Sequence, residues 1–197
     1  MDTAILLEEA IAFALDAVEP VTPAALGRPT PCPGWNLDTL LRHAGESLDA
    51  LAEAAATGAV RLLPDAGADT GGDGADDPVA AFRDGAARLA GAWAGADREG
   101  RTVTIGGCPL RAGVVAATGA IEIAVHGWDA AWAAGRPRPI PPRLAARLLH
   151  LASGLVTADT RAGLFAAPVP VPAGAGPHER LLAHLGRDPA RLPRAAA

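Results

Sequence analysis

The chain has 197 residues, is half apolar but only 4% aromatic, and carries a net charge of −5 with every cationic side chain an Arg. That length builds one domain with a real core, and a core poor in aromatics and rich in Ala requires thin, close-packed layers, which helices supply better than sheets. Five aspartates between Asp65 and Asp77 equal the whole net charge; no basic surplus remains to neutralise phosphates, which excludes nucleic acid as a partner.

Residues 3–19 read as a helix, with Leu7, Ile11, Ala14, Leu15 and Val18 on the 3.6-residue period. Pro20 and Pro23 end it. Arg28 to Trp35 is a stiff loop with three prolines. A second helix fits 36–57, striped by Leu37, Leu40, Leu41, Ala44, Leu48, Leu51 and Ala55, with Asn36 as N-cap and Gly58 as stop. Residues 64–78 are Gly- and Asp-rich and read as a solvated loop, since the acidic spacing does not suit a calcium loop. A third helix covers 78–95, with Pro78 in its first turn. The stretch 101–109, with β-branched residues and Gly106-Gly107, reads as a short extended segment or hairpin arm. A fourth long helix fits 110–134, a fifth 141–160 and a short one 177–185.

The expectation is all-α: a four-helix bundle over 1–165, with a short extended segment and a C-terminal helical extension, 166–197, packed on it. The longest apolar run, Val114 to Val125, contains Glu122 and is too short to span a bilayer, so no membrane partner is expected. The acidic N-terminus is unlike a signal peptide, and Cys32 and Cys108 fit no disulfide or metal-thiolate pattern. A cytoplasmic protein is expected. Ala-rich helix faces suit packing as a homodimer.

Chemistry concentrates in Ile121 to Asp129. On a helix, Glu122 falls at the edge of the apolar stripe, and His126 and Asp129 follow at successive turns on the same side. A carboxylate there needs charge compensation. The Glu-x3-His spacing sets an oxygen and an imidazole one turn apart, which suits two ligands of one metal; it equally suits a Glu–His hydrogen bond or a helix turned to water. Among the five histidines, His43 flanks the second helix's stripe and is the one placed to face another helix, as a third ligand or as a core-edge ring bonded to a carbonyl. Asp129 either accepts from a ligand imidazole and fixes its tautomer or pairs with an Arg. Trp35 and Trp128 read as packing anchors more than pocket walls. Cys32 and Cys108, with no basic neighbour close by except Arg111, read as inert thiols.

Thr30-Pro31-Cys32-Pro33-Gly34-Trp35 with Leu40-Leu41-Arg42-His43, followed by Glu122-x3-His126-Gly127-Trp128-Asp129, resembles the two signatures of the mycothiol-dependent maleylpyruvate isomerase family, among the DinB-like metal-binding bundles. The ending Arg180 to Pro189 resembles a subgroup known only as metal-binding proteins, so the likeness runs from about residue 3 to 190. It implies a DinB-like four-helix bundle with one divalent metal, expected to be zinc, held by His43, Glu122 and His126 with an open fourth position. It also implies mycothiol as a cofactor. Ala130 stands where the pattern has Leu, and His184 where an apolar residue is usual, so His184 is expected at the surface. The likeness does not extend to the isomerase's additional C-terminal domain, so no thiol-binding residue is carried over from it.

The function these readings imply is a metal-dependent enzyme acting on a small molecule with a low-molecular-weight thiol, as S-transferase or as isomerase. A thiol-independent hydrolase or cyclase, and a non-catalytic metal-binding bundle, are the alternatives.

Overall fold

The computed structural model describes residues 3–60, 77–93 and 100–191. Helix α1, Thr3–Val18, buries Leu6, Leu7, Ala10, Ile11, Phe13, Ala14, Ala17 and Val18 on one side. Helix α2, Leu37–Thr57, starts where the Asn36 side chain accepts from Thr39 N–H (2.9 Å). It ends at Gly58, whose φ of 79° carries its N–H back to Ala54 O. A left-handed stop of this kind costs Gly nothing. Helix α3 is Pro78–Trp93, and the Asp77 carboxylate accepts from Val79 N–H in its first turn (2.9 Å). The rest of the expected acidic loop, 64–76, lies outside the described residues.

Helix α4, Ala112–Ala133, is the centre of the molecule. It is buried on nearly every side, as its continuous apolar composition requires. It packs chiefly on α1 and α2; α2 also packs on α3. The approach of α4 to α1 is close because Gly127 has no side chain: a Cβ there would lie 2.9 Å from Ala14 Cα. This is the thin-layered packing that an Ala-rich composition permits. The α1–α4 seam anchors one face of α4 and leaves its Glu122–Asp129 face toward α2 and the C-terminal turns. The architecture is the DinB-like helical bundle expected from the sequence.

The extended segment is a hairpin. Strand β2, Thr102–Ile105, pairs antiparallel with β3, Cys108–Arg111, around Gly106-Gly107, whose φ values of 55° and 83° are those of the tight turn that suits strand twist. A two-residue strand before them, β1, Ala59–Val60, adds in parallel to β2, an element too short to leave a sequence pattern.

The expected single helix over 141–160 is two. Helix α5, Pro142–Leu155, stops, and Thr157 caps the short helix α6, Ala158–Arg161. The hydroxyl of Thr160 reaches back to Leu155 O (2.7 Å) and accepts from Thr157 N–H. Such local side-chain bonds compete with helix continuation. Helix α7, Pro177–His184, packs on α5. No described helix is long and apolar enough to cross a membrane.

Candidate metal centre

Helices α2 and α4 cross so that two residues one turn apart on each, His43 and Ser47, Glu122 and His126, face one another. Nε2–H of His43 donates to Glu122 Oε1 at 2.9 Å, and the Ser47 hydroxyl donates to the same oxygen at 3.2 Å. His126 Nε2 lies 3.5 Å from it. One ligand atom each from His43, Glu122 and His126 therefore falls within 4.8 Å of the others. Ligands about 2.1 Å from a tetrahedral ion stand roughly 3.4 Å apart, so the donor set fits one such ion with little movement. No Arg pairs with Glu122 among the described residues; its ring partners are two imidazoles. Burial alone would raise the Glu122 pKa, but the hydrogen bonds and charge of His126 and His43 outweigh it and hold the carboxyl far below its ordinary range.

The far side of the His126 ring is closed. Nδ1–H donates to Asp129 Oδ2 at 3.0 Å, which fixes the ring and leaves Nε2 facing Glu122. Burial disfavours the charged ring, yet bonds to Asp129, Cys32 and Glu122 raise its pKa well above the usual value. Asp129 is wholly buried. Burial would raise its pKa too, but the Arg187 charge and the His126 bond prevail, and the carboxyl sits below its ordinary value. Arg187 Nη2 donates to Asp129 Oδ2 at 3.0 Å and to Cys32 Sγ at 3.3 Å, and Nη1 donates to Leu185 O at 3.0 Å. The Cys32 thiol in turn donates to Asp129 Oδ2 at 3.4 Å.

Two turns deliver these groups. In the proline loop, the Thr30 hydroxyl donates to Trp35 O and accepts from Cys32 N–H, folding the chain back at Gly34. After α7, Gly186 (φ 82°) passes so close to Ala166 that a Cβ would sit 2.9 Å from its carbonyl oxygen, and Arg187 turns inward. Gly is needed there on both counts.

Both readings of Asp129 hold at once, acceptor for an imidazole and partner of an Arg. Three expectations are corrected. Cys32 does have a basic neighbour, Arg187, brought from 155 residues away. Trp35 is more than a packing anchor: its ring stands edge-on to His43 at 4.7 Å, stacks at 6.2 Å from His126 and walls the cavity. His184 is half-buried, not at the surface, with Nε2–H on Ala152 O. Trp128 does pack in the core, beside His178. His150 and Cys108 are exposed and are not among the residues that line the cavity. Arg187 is the residue of this cluster that sequence reasoning missed. The Gly186-Arg187-Asp188-Pro189 turn was visible, but periodicity says nothing about where such a turn lands.

A cavity of about 580 Å³ opens above His43, Glu122 and His126, between Trp35, Ile121, Val125, Leu164, Phe165 and Arg187. Its size suits a small molecule. Residues 7–131 match the family model of the mycothiol maleylpyruvate isomerase N-terminal domain. That segment carries Trp35, His43, Glu122, His126 and Asp129, and stops short of Leu164, Phe165 and Arg187. Neither the curated proteins nor the solved structures contain a match to the chain.

Proposed function

The chain belongs to the mycothiol maleylpyruvate isomerase N-terminal domain family, and on that premise we propose that it is a metal-dependent enzyme using a low-molecular-weight thiol, as S-transferase or as isomerase. His43, Glu122 and His126 are the proposed ligands, and two imidazoles with one carboxylate favour zinc. One observation supports this most directly: Glu122 is a half-buried carboxylate that, among the described residues, is met by two imidazoles and no Arg, with one ligand atom of each of the three within 4.8 Å of the others. A divalent cation held by these three side chains would take the place of the ring protons that now face this oxygen.

A divalent ion held there would keep a thiol, whose ordinary pKa is about 8.5, as thiolate at neutral pH. The protein's own residues do the rest. Asp129 holds the His126 ring so that Nε2 faces the pocket, and Arg187 neutralises Asp129 in turn. Trp35 and the apolar cavity walls keep water away from the reacting atoms and orient the second substrate. On this reading the segment from 166 onward is an extension of the bundle that supplies Arg187 to the site.

The test is a titration of the cobalt-substituted chain with mycothiol. A sulfur-to-cobalt charge-transfer band should appear and be lost in His126→Ala. With cobalt fully loaded, absence of the band at millimolar thiol would favour a thiol-independent hydrolase or cyclase on the same site.

A further inference from the structure

The cavity walls differ sharply from its floor. Leu164 is 76% exposed, more than any other large apolar side chain among the described residues. It stands at the rim beside the half-buried Phe165. An apolar side chain so exposed gains nothing from folding, yet its backbone is firmly fixed. Leu164 N–H and Phe165 N–H both donate to Arg161 O (3.1 and 3.0 Å), and Arg161 Nη1 returns a bond to Ala166 O (2.8 Å). Gly186 also packs closely against Ala166. The result is a built wall, with Trp35 facing the same cavity.

Beyond the floor, the Thr118, Cys32 and Arg187 side chains of the lining are already engaged. The Thr118 hydroxyl donates to Val114 O (3.0 Å). Arg187, the one described Arg lining the cavity, is held by Asp129, Cys32 and Leu185 and has its charge matched by Asp129. Beyond the floor, no described side chain in the lining offers an uncompensated positive charge to an anion. Burying an anion without a partner is costly.

We propose that the pocket takes a neutral, carbon-rich substrate, whose alkyl or aryl group lies against Leu164, Phe165 and Trp35 while its reacting atom faces His43, Glu122 and His126. A dianionic substrate would place its second charge against an apolar wall. The proposal rests on the metal-centre reading above and names the substrate class of that site.

The experiment uses straight-chain hydroxamates from two to eight carbons, titrated calorimetrically into the zinc-loaded chain. The head group reads the floor and the tail reads the wall. Affinity should rise about three- to fourfold per methylene. Leu164→Ser, a change at an exposed position, should weaken the eight-carbon probe about tenfold and the two-carbon probe less than twofold. An eight-carbon probe ending in a carboxylate should bind at least about tenfold more weakly than its alkyl counterpart. If the two-carbon probe binds but affinity is flat with length, or the carboxylate tail binds better, the substrate class is overturned while the metal reading stands. If zinc does not load, the metal reading fails instead. Ligand-observed NMR of n-alkanols on the metal-free chain then decides: binding that strengthens with length and weakens in Leu164→Ser supports the wall, and a flat response overturns it.

Discussion

His126 divides the site into two sides with similar parts and opposite settings. On each, a carboxylate oxygen lies near a ring nitrogen, Asp129 at 3.0 Å from Nδ1 and Glu122 at 3.5 Å from Nε2. The Asp129 side chain is 0% exposed and carries its own counter-charge in Arg187; the Glu122 side chain is 31% exposed and, among the described residues, is met by two imidazoles and Ser47. The difference follows from desolvation. A carboxylate with no access to water must be paired inside the protein, whereas one at the floor of an open cavity can take its cation from solution. The closed side is thus a complete structural ion pair, and the open side leaves its carboxylate within reach of a cation from solution, as the proposed metal centre requires.

If that contrast is right, the largest loss of folding stability comes from the closed side. Arg187→Ala strips the counter-charge from a wholly buried carboxylate, which should cost about 3–5 kcal/mol in urea denaturation of the metal-free chain. The double change Arg187→Met, Asp129→Leu should recover most of it, since replacing both charges leaves nothing unpaired. A cost below about 1 kcal/mol for Arg187→Ala would mean that water reaches Asp129 and that the two sides are alike.

The open side should respond the other way round. Glu122→Ala and His43→Ala should weaken zinc about a hundred- to a thousandfold in chelator competition, the share of one ligand in the ~10–16 kcal/mol of a full site. The metal-free melting temperature should hardly move, because the bundle core does not depend on either residue. A large drop in that temperature with zinc affinity intact would make Glu122 a structural residue. Asp129→Asn couples the sides: with the imidazole less firmly held, zinc should weaken about ten- to a hundredfold.

These two sides were unequally visible in the sequence. Glu122, His126 and Asp129 lie within eight residues on one helix, so helical geometry places them together, and His43 stands out as the histidine flanking a long apolar stripe. The helices of the bundle came from periodicity and from the Asn36, Gly58 and Pro78 punctuation. The closed side depends on Arg187 and Cys32, joined through two glycine turns at Gly34 and Gly186. A turn's chemistry announces that the chain reverses but not what it then meets. The break between α5 and α6 escaped for a related reason: it depends on the Thr157–Thr160 bonds inside a stretch with helical spacing. The exposure of Leu164 depends on how that segment lies over the cavity, which no local pattern encodes.

The smallest expected effect uses His178 as a contrast to His126. At His126 the Nδ1–H donates to a carboxylate; at His178 Nδ1 instead accepts from Ile140 N–H at 3.2 Å, beside the Trp128 ring at 6.0 Å. Burial lowers the His178 pKa, and the charge of Glu179 only partly offsets it. Protonation would also place N–H against N–H. The unfolded chain, with a His pKa near 6.5, therefore takes up this proton first. The contribution of His178 is present in full above about pH 6.5 and is lost as the pH falls below it. The ring is only half-buried, so the effect is discounted to about half of a typical hydrogen bond, roughly 0.5 kcal/mol. In a chain of this size that is about 1–2 °C in melting temperature. His178→Asn keeps an acceptor for Ile140 N–H and removes the titration. The difference in melting temperature between wild type and His178→Asn, each metal-free, should then shift by that amount against the wild type from pH 7 to pH 5, while the remaining titrations cancel. A shift of the opposite sign would mean that His178 gains an anionic partner and is held as His126 is.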